Sequence, residues 1–288
     1  MKDWSNRCFQ LVCVATLLLC PGIPGASEPA DATQATMNAA MVAFYERGET
    51  ARAVDLFREV LSQMPAHYGA NFQLAKALEA SGQPAEAQRQ WARVLEAARA
   101  IGDGETTATA EARGPAAGRA ARMQEGMRLY YQERQPEAAA VVYREVLAEM
   151  PSHYGANFQL ARALTSTNQA SEASAAWQTM LSMAQAIGDK DTVATAERNL
   201  AEIKMADLMR QGVDALYRRH EASAAADDFR AVLAMLPTHY GATYQLAVAL
   251  DALEQPGEAR KVWKKVQKMA RAAKDPFTSD AAKEALAR

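Results

Sequence analysis

Cysteine is scarce in this chain and confined to one end of it. All three cysteines, Cys8, Cys13 and Cys20, lie within a stretch that has the features of a secretory signal. We expect this signal to cover residues 1–26 and to be removed, which leaves a mature chain without thiols. A thiol-free chain has no disulfide, no thiolate metal site and no thiol redox chemistry, and it suits an oxidising compartment.

Histidine is also scarce, and the common catalytic motifs are missing from the sequence. The chain has 4 histidines and contains no His-Glu-x-x-His, no Gly-x-Ser-x-Gly and no Gly-x-x-x-x-Gly-Lys. A nucleophilic triad therefore has almost no residues to draw on, and catalysis would need chemistry from Asp, Glu and Tyr alone. We predict that the protein is not an enzyme, uses no cofactor and binds no metal.

Aromatic residues and excess charge are likewise limited. Aromatics make up 7% of the chain, and the formal net charge is only −2. Acidic and basic residues are mixed along the sequence, without a basic block of the kind that follows nucleic-acid phosphates, so we expect no nucleic-acid partner. Long strand-type alternation of apolar and polar residues is absent as well, which favours a largely helical protein.

The amino-terminal residues predict export. Lys2 and Arg7 form a positive start ahead of an apolar core, residues 8–20, which is shorter than the roughly 20 residues of a membrane-spanning helix. We place cleavage at residues 25–26 and expect no transmembrane segment after it. Lipidation at Cys20, which would anchor the protein to a membrane, stays open as an alternative. The predicted location is the periplasm.

One fifteen-residue sequence segment, which we call the repeated text, occurs three times. It is MPAHYGANFQLAKAL at residues 64–78, MPSHYGANFQLARAL at 150–164 and LPTHYGATYQLAVAL at 236–250, each copy 86 residues after the last. Ungapped alignment of residues 58–103 with 144–189 gives 27 identities in 46 positions. A fixed period of this kind predicts three modules of a repeat fold.

A shorter rhythm inside each module predicts paired helices. Ala139 and Tyr143 recur 34 residues later as Ala173 and Trp177, and further apolar residues follow each pair on the same helix face. Two sets of prolines punctuate the pattern: those that suit the first position of a helix, and those that end the helix before them. The first set is Pro84, Pro136 and Pro256, and the second is Pro65, Pro151 and Pro237.

These residues resemble the tetratricopeptide repeat family, whose units are hairpins of two helices about 34 residues long. The resemblance implies an all-α fold, a right-handed α-solenoid of about six hairpins in three 86-residue modules. The implied segments are a signal peptide (1–26), a short linker (27–33), module one (34–119), module two with a long connecting helix (120–205), module three (206–275) and a capping helix (276–288).

Two hairpins do not fill a module, and the residues left over have helical composition. In module two they run directly into the next hairpin, so we predict one long helix over residues 191–219. In module one the same segment contains Gly114, Pro115 and Gly118, which predict an interrupted or kinked helix.

The repeated His-Tyr pair has two interpretations. A metal shared by His67, His153 and His239 is disfavoured, because packed helices lie about 8–10 Å apart and would hold the three rings roughly 20 Å from one another. We favour a structural interpretation. The histidine then begins a helix, the tyrosine packs into the preceding hairpin, and the following glycine allows close approach of a neighbouring backbone.

The resemblance implies a binding face along the first helix of each hairpin. We favour packing for the second aromatic set on this face. For its tyrosines, binding and packing both stay open, because the preceding residue already fills the expected core position. The face comprises Tyr45, Tyr131 and Tyr217; Phe72, Phe158 and Tyr244; and the polar residues Asn38, Gln124, Arg210, Lys76 and Arg162, with Val248 in place of the last two in module three.

The predicted function is that of a periplasmic scaffold for protein–protein interaction, which binds a protein or peptide segment during assembly of a cell-envelope complex. A solenoid that binds a small ligand or a lipid, through a pocket of aromatics and methionines, is the alternative. The sequence does not identify the partner.

Overall fold

The fold is all-α, as the sequence predicts. A computed structural model describes residues 28–167 and 169–288, and the predicted signal lies outside these residues. The described residues form thirteen α-helices and no strand. The helices are α1 (Glu28–Met41), α2 (Thr50–Gln63), α3 (Tyr68–Ala80), α4 (Pro84–Ile101), α5 (Gly104–Met127), α6 (Pro136–Glu149), α7 (Tyr154–Ser166), α8 (Ala170–Ile187), α9 (Lys190–Asp214), α10 (Ala222–Met235), α11 (Tyr240–Ala252), α12 (Pro256–Ala272) and α13 (Pro276–Ala287).

The described residues divide into two compact units, one that ends at Ala121 and one over Arg122–Arg288, with the boundary inside α5. In the first unit each of the helices α1 to α4 packs on the next one in sequence. Small and large side chains alternate in its core, where Ala53 and Ala87 lie beside Phe57 and Trp91, all fully buried. Alanines at these positions let the helix axes approach closely, while the aromatic rings fill the groove between hairpins.

The second unit continues the same pattern over a longer stretch. Each helix from α6 to α13 packs on its neighbour in sequence. Ala173 and Ala259 again lie in the core with buried rings, here Tyr143, Trp177 and Trp263. The 34-residue period of the sequence is therefore the period at which buried side chains recur along the helices.

Helix boundaries follow the predicted punctuation. Pro84, Pro136 and Pro256 each occupy the first turn of a helix, where a missing N–H costs no intrahelical hydrogen bond. At the other end, α8 stops at Gly188, whose left-handed backbone (φ +75°) lets the last carbonyls bond to the turn. Helix α1 already begins at Glu28, inside the residues that the sequence assigns to a linker.

The long helix predicted in module two is present. Helix α9 runs over Lys190–Asp214 and continues without a break into a π-helical turn, Ala215–Arg219. The equivalent helix of module one is also continuous, so an interruption at this point is wrong: α5 extends over Pro115 without a break.

Packing explains why α5 remains helical across Pro115. Ala110 and Ala117, on either side of Pro115, are buried in the same core cluster as Trp91. A methyl group added to Gly114 would lie 3.6 Å from the Trp91 Cβ, so the glycine brings the helix against that side chain. Proline removes one backbone hydrogen bond, but the apolar contacts on both sides of it hold the helix together.

Candidate functional site

Each repeated histidine caps a helix. The Nδ1 atom of His67 accepts a hydrogen bond from the backbone N–H of Ala70 at 3.1 Å. His153 and His239 accept the same bond at 3.1 and 3.0 Å, at the starts of α7 and α11. A side-chain acceptor at this position satisfies one of the free N–H groups of the first helical turn. These ring nitrogens therefore have a structural role.

The tyrosine after each histidine points to a later turn rather than into the preceding hairpin. The Tyr154 hydroxyl donates a hydrogen bond to Asp189 Oδ2 at 2.6 Å, 35 residues further along the chain. Tyr68 and Tyr240 bond in the same way to Asp103 and Asp275. The expected role of the tyrosine is thus corrected, since its polar end ties the start of one helix to the start of another two helices later.

These aspartates are themselves helix caps. Asp189 Oδ1 accepts a hydrogen bond from the backbone N–H of Thr192 at 3.0 Å. Hydrogen bonds from the Tyr154 hydroxyl and from Thr192 lower the Asp189 pKa to about 2, because they favour the charged carboxylate. Similar bonds lower the pKa values of Asp103 and Asp275. Histidine, tyrosine and aspartate together form one repeated structural unit.

The glycine of the repeated text does not serve a close backbone contact, contrary to expectation. A Cβ added at Gly155 would meet the His153 ring at 3.6 Å and the Met123 methyl group at 3.8 Å, which are ordinary van der Waals distances. The equivalent positions of the other two copies have the same neighbours. Side chains rather than backbone surround this glycine.

Three half-exposed tyrosines stand at equivalent places. Tyr45, Tyr131 and Tyr217 expose 52%, 48% and 50% of their surface and lie in π-helical turns. Their hydroxyls donate to the side-chain oxygens of Gln73, Gln159 and Gln245 on the following hairpin, at 2.7, 3.1 and 2.7 Å. One ring edge packs inward, as where Tyr45 meets Phe44 edge-on at 4.8 Å. Each tyrosine therefore both packs and faces solvent.

A cation completes two of the three sites. Lys76 Nζ donates to the Tyr45 hydroxyl at 2.6 Å and lies 5.0 Å from the centre of its ring. Arg162 donates to the Tyr131 hydroxyl at 2.6 Å and lies 5.3 Å from that ring. These distances are typical of cation–π contacts. At the third site Val248 replaces the cation, and burial raises the pKa of the Tyr217 hydroxyl.

We call these groups the three tyrosine clusters. Each consists of the tyrosine, the glutamine that accepts its hydrogen bond, and the residue at the cation position. The first is Tyr45, Gln73 and Lys76; the second is Tyr131, Gln159 and Arg162; the third is Tyr217, Gln245 and Val248.

The second set of predicted aromatics packs against tryptophans. The rings of Phe72, Phe158 and Tyr244 meet the rings of Trp91, Trp177 and Trp263 edge-on, with centroids 5.4, 5.7 and 5.6 Å apart. Such contacts stabilise by about 0.5–1.5 kcal/mol beyond the area they bury. The favoured packing interpretation agrees with these contacts, although Phe72 and Phe158 also lie within 6 Å of the cation beside them.

The remaining predicted polar residues are exposed. Asn38 accepts a hydrogen bond from Gln34 at 3.0 Å, and Arg210 pairs with Asp207 on its own helix. Gln124 is exposed near the end of α5. Lys76 and Arg162 are therefore the predicted polar residues that the structure joins directly to the tyrosines.

Two segments match a known family. The sequence model of the family Tetratricopeptide repeat matches residues 44–101 and 130–187. The matched segments include the first two tyrosine clusters and the helices α2–α4 and α6–α8. These two segments are similar to tetratricopeptide repeats. No curated protein matches the chain.

Several solved tetratricopeptide repeat structures are similar to the chain. The yeast Sti1 TPR2AB domain in complex with pHSP90 is 14% identical, covers 90% of this chain and 97% of its own, and has a TM-score of 0.34. A tetratricopeptide repeat protein from Parabacteroides merdae is 12% identical, with 89% and 98% coverage and a TM-score of 0.31. YrrB, a TPR protein with an unusual peptide-binding site, is 15% identical, with 86% and 90% coverage and a TM-score of 0.24.

Sequence reasoning missed the glutamines of the repeats. Gln73, Gln159 and Gln245 belong to the fifteen-residue text that occurs three times. That repetition was the available signal, but it is shared with residues that only pack. The hydrogen bonds to the tyrosines distinguish the glutamines from their neighbours.

A cavity of about 340 Å³ lies in the first unit between α2, α3 and α4. Leu61, Leu74 and Leu78 form its apolar floor. Three arginines, Arg58, Arg89 and Arg93, stand around it. Its lining differs from the aromatic and methionine pocket that the alternative function predicts.

Two kinds of feature are absent from residues 28–167 and 169–288. In that part of the chain no group of three or more His, Cys, Asp or Glu side chains is arranged to hold a metal ion. The same residues contain no helix that is long and apolar enough to cross a membrane.

Proposed function

We propose that this protein is an exported, periplasmic tetratricopeptide repeat scaffold. In this proposal it binds a segment of a partner protein and helps to assemble a complex of the cell envelope. The observation that carries the proposal is the threefold recurrence of an exposed tyrosine held by a glutamine, with a cation added in two copies.

The chemistry of the clusters suits a peptide. A tyrosine ring offers a large, rigid surface at little cost in side-chain entropy, and such rings dominate binding energies at many interfaces. Because the Gln159 oxygen accepts the tyrosine bond, the NH₂ end of its amide remains able to donate to a peptide carbonyl. Arg162 spends one of its five N–H donors on Tyr131 and retains others for an acidic side chain.

The tyrosine cluster recurs along the chain, which favours a partner that binds in an extended form. A partner segment that contacts both the second and the third cluster, which lie in the same unit, gains affinity through effective concentration, so individually weak contacts combine. Tetratricopeptide repeats generally serve as non-catalytic scaffolds, and we propose no catalytic role here. The periplasmic location rests on the amino-terminal sequence, with lipidation at Cys20 as the variant that would tether the scaffold to a membrane.

Crosslinked affinity capture from an envelope fraction tests the proposal. The bait is the protein itself, run beside a triple variant in which Tyr45, Tyr131 and Tyr217 become alanine. The matched control changes Met64, Met150 and Leu236 to alanine. These apolar residues are also exposed, by 48%, 41% and 40%, and they recur at the same 86-residue interval.

We expect a partner that the control bait retains and the tyrosine variant loses, with an affinity at least about tenfold weaker. Equal capture by all three baits would show that the tyrosines are not the binding face. Capture of no protein would favour the small-ligand alternative. The cavity beside Arg58, Arg89 and Arg93 then becomes the first place to look. Arg58 is paired there with Glu86 at 2.6 Å, so Arg89 and Arg93 supply the charge that suits an anionic ligand.

A further inference from the structure

One helix carries an unusual charge. On α12, six basic side chains are exposed, whereas its only acidic residue, Glu258, pairs with Arg230 at 3.0 Å. The expectation of evenly mixed charges therefore fails in this helix, although the whole chain has a net charge of only −2. The six residues are Arg260, Lys261, Lys264, Lys265, Lys268 and Arg271.

The six cations share one face. Residues 261, 264, 268 and 271 follow the spacing of three and four that places side chains on the same side of a helix. The opposite side, with Ala259, Trp263, Val266 and Ala270, is buried in the core. The cations thus point away from the protein as a continuous stripe.

Carboxylates do not neutralise this stripe in the described part of the chain. Lys265 donates to the Pro237 carbonyl at 2.8 Å, and none of the six has an ion pair there. The acids of the adjacent helix α13 are used elsewhere: Asp280 pairs with Lys283 and Glu284 with Arg288. Like charges this close repel one another in the free protein, and a polyanionic surface would relieve that repulsion.

The equivalent helices of the other modules lack this feature. Helix α8, 86 residues earlier, contains no basic residue, and α4 carries three arginines together with Glu86 and Glu96. All three helices bury the same tryptophan position, at Trp91, Trp177 and Trp263. The fold therefore does not require the stripe.

An exposed aromatic residue lies beside the end of the stripe in sequence. Phe277 exposes 83% of its surface in the first turn of α13, three residues after the exposed Lys274. The other modules place acidic residues, Glu105 and Asp191, at this position. An exposed phenylalanine close to cations is typical of proteins that rest on the interface of a membrane.

We propose that the basic stripe of α12, with Phe277, docks on the surface of an anionic phospholipid membrane. Lipid phosphates would pair with the lysine and arginine side chains, while the phenylalanine ring enters the headgroup region. A nucleic-acid duplex offers phosphates to the cations, but its bases are stacked on one another and leave no apolar layer for Phe277, so it accounts only for the basic part of the surface. This site is separate from the tyrosine clusters and does not depend on the scaffold function.

Co-sedimentation with vesicles tests the proposal. The full chain is mixed with phosphatidylcholine vesicles that contain or lack phosphatidylglycerol, at low and at high salt. One variant changes Lys261, Lys264 and Lys268 to glutamine, and a second changes Phe277 to serine. The apolar residues 8–20 are common to all variants, so the readout is the difference between anionic and neutral vesicles.

Matched controls come from the other modules. Lys190→Gln, Arg198→Gln and Lys204→Gln together remove three exposed charges from α9, and Ile187→Ser removes another exposed apolar side chain, 67% accessible at the end of α8. Thermal unfolding of each variant confirms that it folds.

We expect binding that requires phosphatidylglycerol and weakens with salt. The lysine variant should weaken it at least about tenfold and Phe277→Ser about threefold, with little change in the controls. Equal binding to neutral vesicles, or equal losses in the controls, would overturn the proposal. Tighter binding to duplex DNA than to anionic vesicles at the same salt, unaffected by Phe277→Ser, would replace the membrane with a nucleic acid.

Discussion

The second and third tyrosine clusters lie in the same unit and share their framework, yet they present different chemistry to solvent. In both, a tyrosine in a π-helical turn bonds to a glutamine of the next hairpin. Arg162 then covers the second cluster, whereas Val248 takes that place in the third. The contacts that hold hairpins together are thus repeated, while the residues that face outward differ.

The same comparison extends to the core and the turns around these clusters. Tyr143 occupies the buried position that Phe229 fills one module later, and Gly188 stands where the chain later has Lys274. At the first position, module two buries a hydroxyl without a partner among the described residues, which the phenylalanine of module three avoids. At the second, module three places a lysine in a left-handed backbone conformation that suits the glycine of module two.

The largest expected effect on stability concerns Tyr143. Its side chain is fully buried, its hydroxyl has no hydrogen-bond partner among the described residues, and burial raises its pKa to about 12. Tyr143→Phe should raise the free energy of unfolding by about 1–2 kcal/mol, because an unpaired buried hydroxyl is costly. Urea unfolding measures the change. Phe229→Tyr should destabilise the third module, and a loss of stability in Tyr143→Phe would mean that the hydroxyl has a partner.

A second change makes the two clusters alike. Arg162→Val should weaken binding of a captured peptide about tenfold if the peptide is acidic at this point, because a charge-assisted contact is lost. Val248→Arg, made in the same chain, should restore part of the affinity. Calorimetric titration at two salt concentrations measures both. An unchanged affinity in Arg162→Val would place the peptide away from the second cluster.

The turns that follow α8 and α12 differ in backbone strain, and the expected effect on stability is smaller. Lys274 adopts a left-handed backbone with φ +55°, where Gly188 adopts φ +75° in the preceding module. A lysine in this region is strained by roughly 1–2 kcal/mol, and glycine relieves the strain but loses more backbone entropy on folding. Lys274→Gly should therefore stabilise by about 0.5–1 kcal/mol in thermal unfolding. Lys274→Ala keeps the strain and serves as the control, so equal gains in both variants would contradict this account.

The smallest expected effect is a pH dependence from the capping aspartates. The Asp189 pKa is about 2 in the folded protein, against about 3.9 in an unfolded chain. A lowered pKa contributes stability that is present above the unfolded value and is lost as the pH falls toward the folded one. The melting temperature should thus decline below about pH 4, and Asp189→Asn should reduce the slope. An unaltered slope would show that the hydrogen bonds of this carboxylate do not affect stability.

Sequence periodicity was enough to predict which segments are helical and which faces are buried, but not where each helix is continuous. The stripe of Ala139, Tyr143, Ala173 and Trp177 indicated the buried faces correctly, because burial on one helix face imposes a spacing that is visible in the text. The interruption at Pro115 was wrong, since local propensity was overruled by the packing of Ala110 and Ala117. The long helix that ends in Ala215–Arg219 was predicted because its segment lacks a breaker.

The candidate site was only partly predictable. Tyr45, Tyr131 and Tyr217 were found by position in the repeat, and their exposure agrees with that choice. Their bonds to glutamines on another hairpin were not foreseen, because they join residues 28 apart whose side chains meet only when the hairpins pack. The basic stripe of α12 was overlooked for a different reason: its six cations all lie within residues 260–271, but the net charge of the whole chain is only −2 and conceals this local excess.

By itself, the sequence determined the all-α fold, the hairpin rhythm and the places of the capping residues, because these depend on local spacing and on the burial of one helix face. Tertiary structure alone decided which polar groups meet. Tyr154 reaches Asp189 across two helices, and Arg162 lies over Tyr131 rather than in solvent. A hydrogen bond depends on distances of about 3 Å, and packing of the hairpins sets such distances between residues far apart in the sequence.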